Sequence, residues 1–358
     1  MSKDFDAIPI LDFALLDTDR ALFLSNLQHA LVHVGFFYVA GHGITPQFLE
    51  QLTRATKDFF ALPLSEKLKT DKIHSPTFLG YSVQGNEITK DNKDNREQLD
   101  FANELPDAWN ASQPIYERLS GPNLWPDDDV LPGFQQTILQ FHEQARILAE
   151  RLTQLVAESL GLPSNSILDS VIPGQQHRGK LIKYPAVDEL DPSDGTQGVG
   201  PHRDTASLLT ILYQATDHPG LQVQNQRGQW IDAAPIPNTF VVNIGTGLEY
   251  LVQGIATATT HQVISPPVGT GPRYSVPFFF GARLDRQLQP VDIPQHILNS
   301  KDRTVVTDSG HQFGSLYKEN PGLYYLLNRI SSHRDVGFKY YAELAAQHGF
   351  TNGDNKGY

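Results

Sequence analysis

Cysteine is absent from the 358 residues. That excludes disulfides, zinc–thiolate sites and thiol nucleophiles. A chain without disulfides suits a reducing compartment, so a cytoplasmic location is expected. No apolar run reaches the length of a membrane span or a signal peptide, and the start, Met1-Ser2-Lys3-Asp4-Phe5-Asp6, is polar. Positive charge is scarce as well: 28 Lys and Arg stand against 40 Asp and Glu, for a formal charge of −12. This balance argues against nucleic acid or an anionic membrane as a partner, and makes an anionic substrate less attractive. Internal repeats, low-complexity tracts and Gly-rich phosphate loops are also missing. What is left is an acidic, soluble protein long enough for a sizeable core, as one large domain or two.

In chain order, Ile8 to Phe13 reads as a short strand, Arg20 to His33 as a helix and Val34 to Val39 as a strand rich in aromatic and β-branched residues. Thr45 and Pro46 form a helix-start signal, and Phe48, Leu52, Ala55 and Phe59 make one stripe that stops near Pro63. Residues 70–110 are polar and turn-rich, a loop suited to folding over a site. The clearest helix runs from Phe134 to Leu160; it is a packing helix, with His142 expected on its surface. From Gly179 onward the texture becomes short β segments separated by Gly and Pro, which suggests a sandwich or jelly roll. After Arg283 the chain is mixed: 285–310 reads as irregular and 337–348 as helical, followed by an exposed tail.

Chemistry concentrates between Gly198 and Ser275. His202 and Asp204 are two residues apart at the mouth of a β-prone run, Ser207 to Tyr213, so imidazole and carboxylate can converge on one ion. His261 stands before another short run and offers a third ligand from across a folded sheet. Two histidines and one carboxylate are the facial arrangement of non-haem Fe(II) oxygenases, although zinc accepts the same ligands. Arg273 and Ser275, again at i and i+2, form a fork and hydroxyl suited to a carboxylate. A zinc hydrolase has no general need of such a clamp; an oxygenase fed by a dicarboxylate does. Of the other candidates, His42 reads as a turn residue and Phe278-Phe279-Phe280 as core with one face towards a cavity.

The chain resembles the isopenicillin N synthase-like branch of the Fe(II)/2-oxoglutarate-dependent oxygenases over about residues 8–285. The resemblance is carried by Ile8-Pro9-Ile10-Leu11-Asp12, by Val34-Gly35-Phe36-Phe37-Tyr38-Val39-Ala40-Gly41-His42-Gly43, by Phe59-Phe60-Ala61-Leu62-Pro63, by Asn243-Ile244-Gly245 and by Arg273-Tyr274-Ser275. It implies a mainly β, α+β fold: a double-stranded β-helix (jelly-roll) core behind an N-terminal helix and strand region. By position it implies His202, Asp204 and His261 as iron ligands, and Arg273 and Ser275 on the distal carboxylate of 2-oxoglutarate. Tyr184, in Tyr184-Pro185, falls where the family places a tyrosine on the same co-substrate. The asparagine usual two positions earlier is Ile182, and the acidic residue usual after Asn-Ile-Gly is Thr246, assigned to structure. Asp204 argues against halogenation, since related halogenases lose this carboxylate. Tyr81 and Phe101 are expected to border the site.

The expected organisation is a non-haem dioxygenase N-terminal region at 1–120, a long packing helix and connector at 121–175, a catalytic core at 176–285 and a C-terminal extension at 286–358. The expected activity uses Fe(II), dioxygen and 2-oxoglutarate to hydroxylate, desaturate or cyclise a small organic molecule, in specialised metabolism. The competing readings are an oxidase like isopenicillin N synthase that takes no keto acid, a catalytically silent binding protein of the same fold, and a zinc hydrolase.

Overall fold

The strands of the chain's larger sheet alternate between an apolar outer face and an inner face that mixes apolar residues such as Phe36, Tyr38 and Ile182 with polar ones such as Asn243, Ser275 and Arg273, and this division places the site. The computed structural model describes residues 4–89, 92–172, 176–191, 195–299 and 319–351. In chain order its strands are β1 (Ile10–Asp12), β2 (Phe36–Ala40), β3 (Gly80–Ser82), β4 (Ile88–Thr89), β5 (Asn92–Lys93), β6 (Glu97–Ala102) and β7 (Arg178–Tyr184). Then come β8 (Gln197–His202), β9 (Ser207–Gln214), β10 (Leu221–Gln224), β11 (Trp230–Asp232), β12 (Phe240–Ile244), β13 (His261–Ile264) and β14 (Arg273–Gly281). The larger sheet runs β1-β2-β12-β9-β14-β7-β6-β3, the smaller β11-β10-β13-β8, and β4 and β5 pair by themselves. This is a mainly β fold with flanking helices, a jelly roll.

β14 shows how sequence sets the two faces. Its alternation sends Tyr274, Val276, Phe278 and Phe280 outward and Arg273, Ser275 and Phe279 inward. The outward side meets helix Phe134–Ser159, whose apolar stripe is buried along its length. His142 belongs to that stripe, not to the surface as its chemistry suggested. It stands four residues after Ile138 and three before Ala145 on one helical face. Its ring meets Phe278 edge-on at 5.0 Å, and its Nε2 lies 3.0 Å from the His177 carbonyl. Burial holds its pKa below the usual histidine value, so it packs as a neutral ring.

Helices Arg20–His33 and Pro46–Ala61 form where the sequence places them, the second capped by the Thr45 hydroxyl, which accepts from Phe48 N. Gly35, at φ +73, turns the first helix into β2; a Cβ there would come within 2.2 Å of the Thr257 carbonyl. Two expectations change. Residues 70–110 are not simply a covering loop: β3 and β6 extend the larger sheet, and every residue of β6 is buried. Their charged residues look solvated in sequence because their partners are distant. Helix Pro321–Ser332, missed in the sequence, begins at Asn320, whose side chain accepts from Leu323 N. The stretch 300–318 and the tail 352–358 lie outside the described residues. No described helix is long and apolar enough to cross a membrane.

Phe278 ties β14 to the long helix, so Phe278→Ala is expected to cost about 3–5 kcal/mol through the cavity it leaves. Urea denaturation measures this; a loss below about 1 kcal/mol would mean that the two layers do not depend on this contact.

Candidate active site

The ends of two neighbouring strands of the smaller sheet hold the histidines. His202 closes β8, His261 opens β13, and antiparallel pairing sets them directly opposite, with ring centroids 4.3 Å apart. Asp204 lies on no strand. It sits in the turn between β8 and β9, so the ligand pair expected at the mouth of β9 in fact straddles the end of β8. That turn is fixed in detail. Thr246 N donates to the Asp204 carbonyl at 2.9 Å, and Ala206 N donates to the Thr246 hydroxyl at 3.1 Å. Ala206 itself has φ +63, a conformation costly for a non-glycine residue and held by its surroundings. Thr246 therefore has the structural role assigned to it.

Proton positions follow from the partners. Each Nδ1 faces a backbone carbonyl, Gly200 O at 2.8 Å for His202 and Thr259 O at 3.1 Å for His261. A carbonyl only accepts, so the hydrogen sits on Nδ1 and each Nε2 presents a lone pair. Both Nε2 atoms lie 3.7 Å from Asp204 Oδ1. That is too long for a hydrogen bond and suits three donors around one cation. The other carboxylate oxygen, Oδ2, accepts from Asn243 Nδ2 at 2.7 Å and Thr210 Oγ1 at 2.5 Å, which aims Oδ1 at the shared point. Burial, reinforced by His261, pushes the His202 pKa down to about 3. For Asp204 burial acts upward, but the two imidazoles and the two hydrogen bonds outweigh it and hold the carboxyl below its usual range. Phe36, from β2, meets the His261 ring edge-on at 5.1 Å and closes that side.

The clamp stands on the facing sheet. In register, Arg273 opposes Tyr184 and Ser275 opposes Ile182, so all four share the inner face. Arg273 and Ser275 are each only 1% exposed. The guanidinium gives Nη2 to Gln214 Oε1 at 3.0 Å and lies 5.2 Å from the Tyr184 ring centroid. Its Nε and Nη1 have no partner among the described residues. Burial holds its pKa below the usual arginine value. A buried guanidinium with two free donors is a costly arrangement that an incoming carboxylate relieves. The smaller sheet and the turn after β8 thus carry His202, Asp204 and His261, and the larger sheet carries Arg273, Ser275 and Tyr184 on its inner face.

Tyr81 and Phe101 do not border the site. They face outward, Tyr81 donating to Glu97 Oε2 at 2.6 Å and Phe101 packing on His142. Their strand neighbours Ser82, Gln98 and Asp100 line the inner face, with Lys180 beside Asp100 on β7. The sequence carried a signal for this, Glu97-Gln98-Leu99-Asp100-Phe101, whose polar residues at 98 and 100 sit between apolar ones. Further along, Glu87, Asp100 and His333 form a second group with metal-ligand spacing. Here, however, Lys72 Nζ stands 2.8 Å from Asp100 and 2.9 Å from His333, so an ammonium already occupies the place of a cation.

Two families match the chain: "non-haem dioxygenase in morphine synthesis N-terminal" over residues 8–128 and "2OG-Fe(II) oxygenase superfamily" over residues 176–282. A 2-oxoglutarate-dependent dioxygenase of Dothideomycetidae sp., frbJ, is 38% identical over 96% of this chain and 94% of its own length. The homoarginine-6-hydroxylase 2-ODD-233 of Oryza sativa subsp. japonica is 32% identical, over 82% of this chain and 90% of its own. Among solved structures, a full-length Neurospora crassa protein in complex with alpha-KG superposes with a TM-score of 0.68 at 29% identity, covering 81% of this chain and 90% of that one.

Asn243 aims the carboxylate without being a candidate ligand itself. Asn243→Ala is therefore expected to weaken Fe(II) binding by about 10- to 100-fold, as loss of an outer-shell partner does. Anaerobic Fe(II) titration reads this directly, and an unchanged affinity would mean that Oδ1 needs no such support.

Proposed function

From the premise that the chain belongs to the Fe(II)- and 2-oxoglutarate-dependent oxygenase family, we propose that His202, Asp204 and His261 hold the iron, and that Arg273, Ser275 and Tyr184 hold the co-substrate. The enzyme is a 2-oxoglutarate-dependent dioxygenase, with Fe(II), 2-oxoglutarate and dioxygen as its cofactor and co-substrates. The observation that carries the residue assignment is the pairing of three converging, proton-free donors with a buried guanidinium that lacks an anion. Iron, when bound, supplies the dioxygen chemistry that couples oxidation of the keto acid to succinate and carbon dioxide with attack on a C–H bond.

The chain's own contribution is placement. The Gly200 and Thr259 carbonyls keep both Nε2 atoms free to ligate. Asn243 and Thr210 keep Asp204 ionised and aimed. Gln214 holds the Arg273 fork so that two donors remain for the distal carboxylate. The charges then close: a divalent cation, Asp204, a dianionic keto acid and Arg273 sum to zero, which suits a buried site. Ile182, facing Ser275, gives the co-substrate an apolar wall where the family's asparagine would donate.

The substrate is proposed to be a small organic molecule of specialised metabolism, supported by the N-terminal family's description from morphine synthesis. The relatives' names favour a keto-acid-dependent enzyme over an oxidase that dispenses with it. Hydroxylation, desaturation and ring closure differ in where the substrate's C–H bonds lie relative to the iron.

Two substitutions separate the roles. His202→Ala is expected to abolish Fe(II) binding and oxygen-dependent succinate formation together. Arg273→Leu should retain iron and raise the Kd for 2-oxoglutarate about 100-fold, the size of two charge-assisted hydrogen bonds. Wild-type co-substrate affinity in Arg273→Leu would sink the clamp assignment.

A further inference from the structure

We infer that the substrate is an α-amino acid whose carboxylate docks on Lys180 and Arg96 and whose ammonium docks on Asp100 and Gln98. This rests on the iron and co-substrate assignments above. The inner face of β7 continues past the clamp: Tyr184 opposes Arg273, Ile182 opposes Gln98, and Lys180 opposes Asp100. Four residues of strand, roughly 13 Å, separate Lys180 from Tyr184. That span sets the Lys180 end of the strand one small molecule's length away from the clamp. Arg96 joins the two ends: it stands one residue before Glu97, which pairs with Lys183, so the register carries it beside Tyr184, whose ring lies 5.2 Å from the Arg273 guanidinium.

The polar atoms left over in this region are specific. Lys180 Nζ makes no hydrogen bond among the described residues; its nearest carboxylate oxygens, on Glu87 and Asp100, are 3.6 and 3.7 Å away. Arg96 commits Nη2 to Glu87 at 2.6 Å and Asp94 at 3.1 Å, while its Nε is buried without a partner. Arg178 gives its fork to the Thr77 and Leu119 carbonyls, and the carboxylate its charge feels is Asp100, which also answers Lys72, Lys180 and Arg329. Cations therefore exceed carboxylates on this face although the whole chain is acidic, and the expectation against an anionic substrate does not hold locally.

A simple acid would not complete the site, because two acceptors are also free. Gln98 Nε2 donates to Glu87 at 2.6 Å and to Asp100 Oδ2 at 2.8 Å, which fixes the amide orientation and leaves Oε1 buried and unpaired. Asp100 Oδ1 is likewise buried without a hydrogen bond. Two donors and two acceptors that lack hydrogen bonds, with Lys180 Nζ and Asp100 Oδ1 only loosely paired at 3.7 Å, complement a carboxylate and an ammonium on one carbon.

The test uses the iron-loaded enzyme with 2-oxoglutarate under anaerobic conditions. The twenty proteinogenic L-amino acids, homoarginine and ornithine are titrated by calorimetry, together with the amine lacking the carboxylate for each binder. At least one amino acid should bind, its decarboxylated amine should bind 100-fold or more weaker, and it should raise oxygen-dependent succinate formation at least tenfold. Lys180→Met should weaken that amino acid by about 100-fold, with affinity largely restored in Lys180→Arg. The inference is overturned if no amino acid binds, if the amine binds as well as its parent, or if Lys180→Met binds the amino acid unchanged. Iron and 2-oxoglutarate binding, measured in parallel without amino acid, tests the underlying reading separately.

Discussion

Two imidazole nitrogens and one carboxylate oxygen that meet without a proton between them would repel one another unless a cation joined them, and much of this fold serves to impose that meeting. The Gly200 and Thr259 carbonyls take the Nδ1 hydrogens, so neither ring can turn its protonated side inward. Antiparallel pairing of β8 and β13 sets the rings opposite each other, and the left-handed residue Ala206 with Thr246 closes the turn that delivers Asp204. Asn243 and Thr210 reach across from the larger sheet to hold that carboxylate. The two sheets must therefore be correctly spaced for the donor set to exist. That spacing is set from within, by Phe36, Tyr38, Ile182 and Tyr184 of the larger sheet packed with Val199, Val223 and Val263 of the smaller.

The inner face carries a second consequence of the same construction. Fully buried charges are costly, and this region contains many, yet most are matched: Lys72 with Asp100, Arg96 with Glu87 and Asp94, Lys67 with Glu97 on the outer side. Against such thorough pairing two groups stand out for the hydrogen bonds they lack. Arg273 has a guanidinium without an anion, and Lys180 has an ammonium without a hydrogen bond. The first suits the dicarboxylate co-substrate proposed for it. The second calls for its own ligand on the same physical argument.

How much could be read from sequence depended on the distance over which the information was held. His202 and Asp204 were legible because two residues of spacing define their convergence, and Arg273 with Ser275 for the same reason. The turn geometry was not: the sequence pointed to β9, but the strand that carries His202 is β8, since Gln197 to His202 is rich in Gly and Pro and hides its β character. His142 was misread because a histidine looks polar even in the middle of an apolar stripe. The polar chamber was least legible. Asp100 faces Lys180 across a β6–β7 register linking residues eighty positions apart, and nothing local announces that pairing.

Three separate parts of the chain meet in that chamber. β3 and β6 bring Ser82, Gln98 and Asp100, β7 brings Lys180, and helix Pro321–Ser332 with its cap residue brings Arg329 and His333. Arg329 Nη1 lies 3.7 Å from Asp100 and His333 Nε2 lies 2.6 Å from Glu87, so the C-terminal helix is tied to the sheet by charge as well as by Leu326 and Ile330 against Phe78. An ion pair of this kind is weak support for stability but strong about geometry, because a carboxylate that must serve Lys72, Arg329 and Gln98 at once has little freedom to move. Asp100 is thereby held with Oδ2 hydrogen-bonded and Oδ1 facing Lys180 and Arg329 at 3.7 Å without a hydrogen bond. A chamber wall this rigid can discriminate among ligands through what it leaves unsatisfied, since a mismatched group pays the full desolvation cost of the polar atom it fails to meet. On the reading proposed above, the metal-side geometry sets what chemistry is done, and this wall, assembled from residues 82 to 333, sets on what.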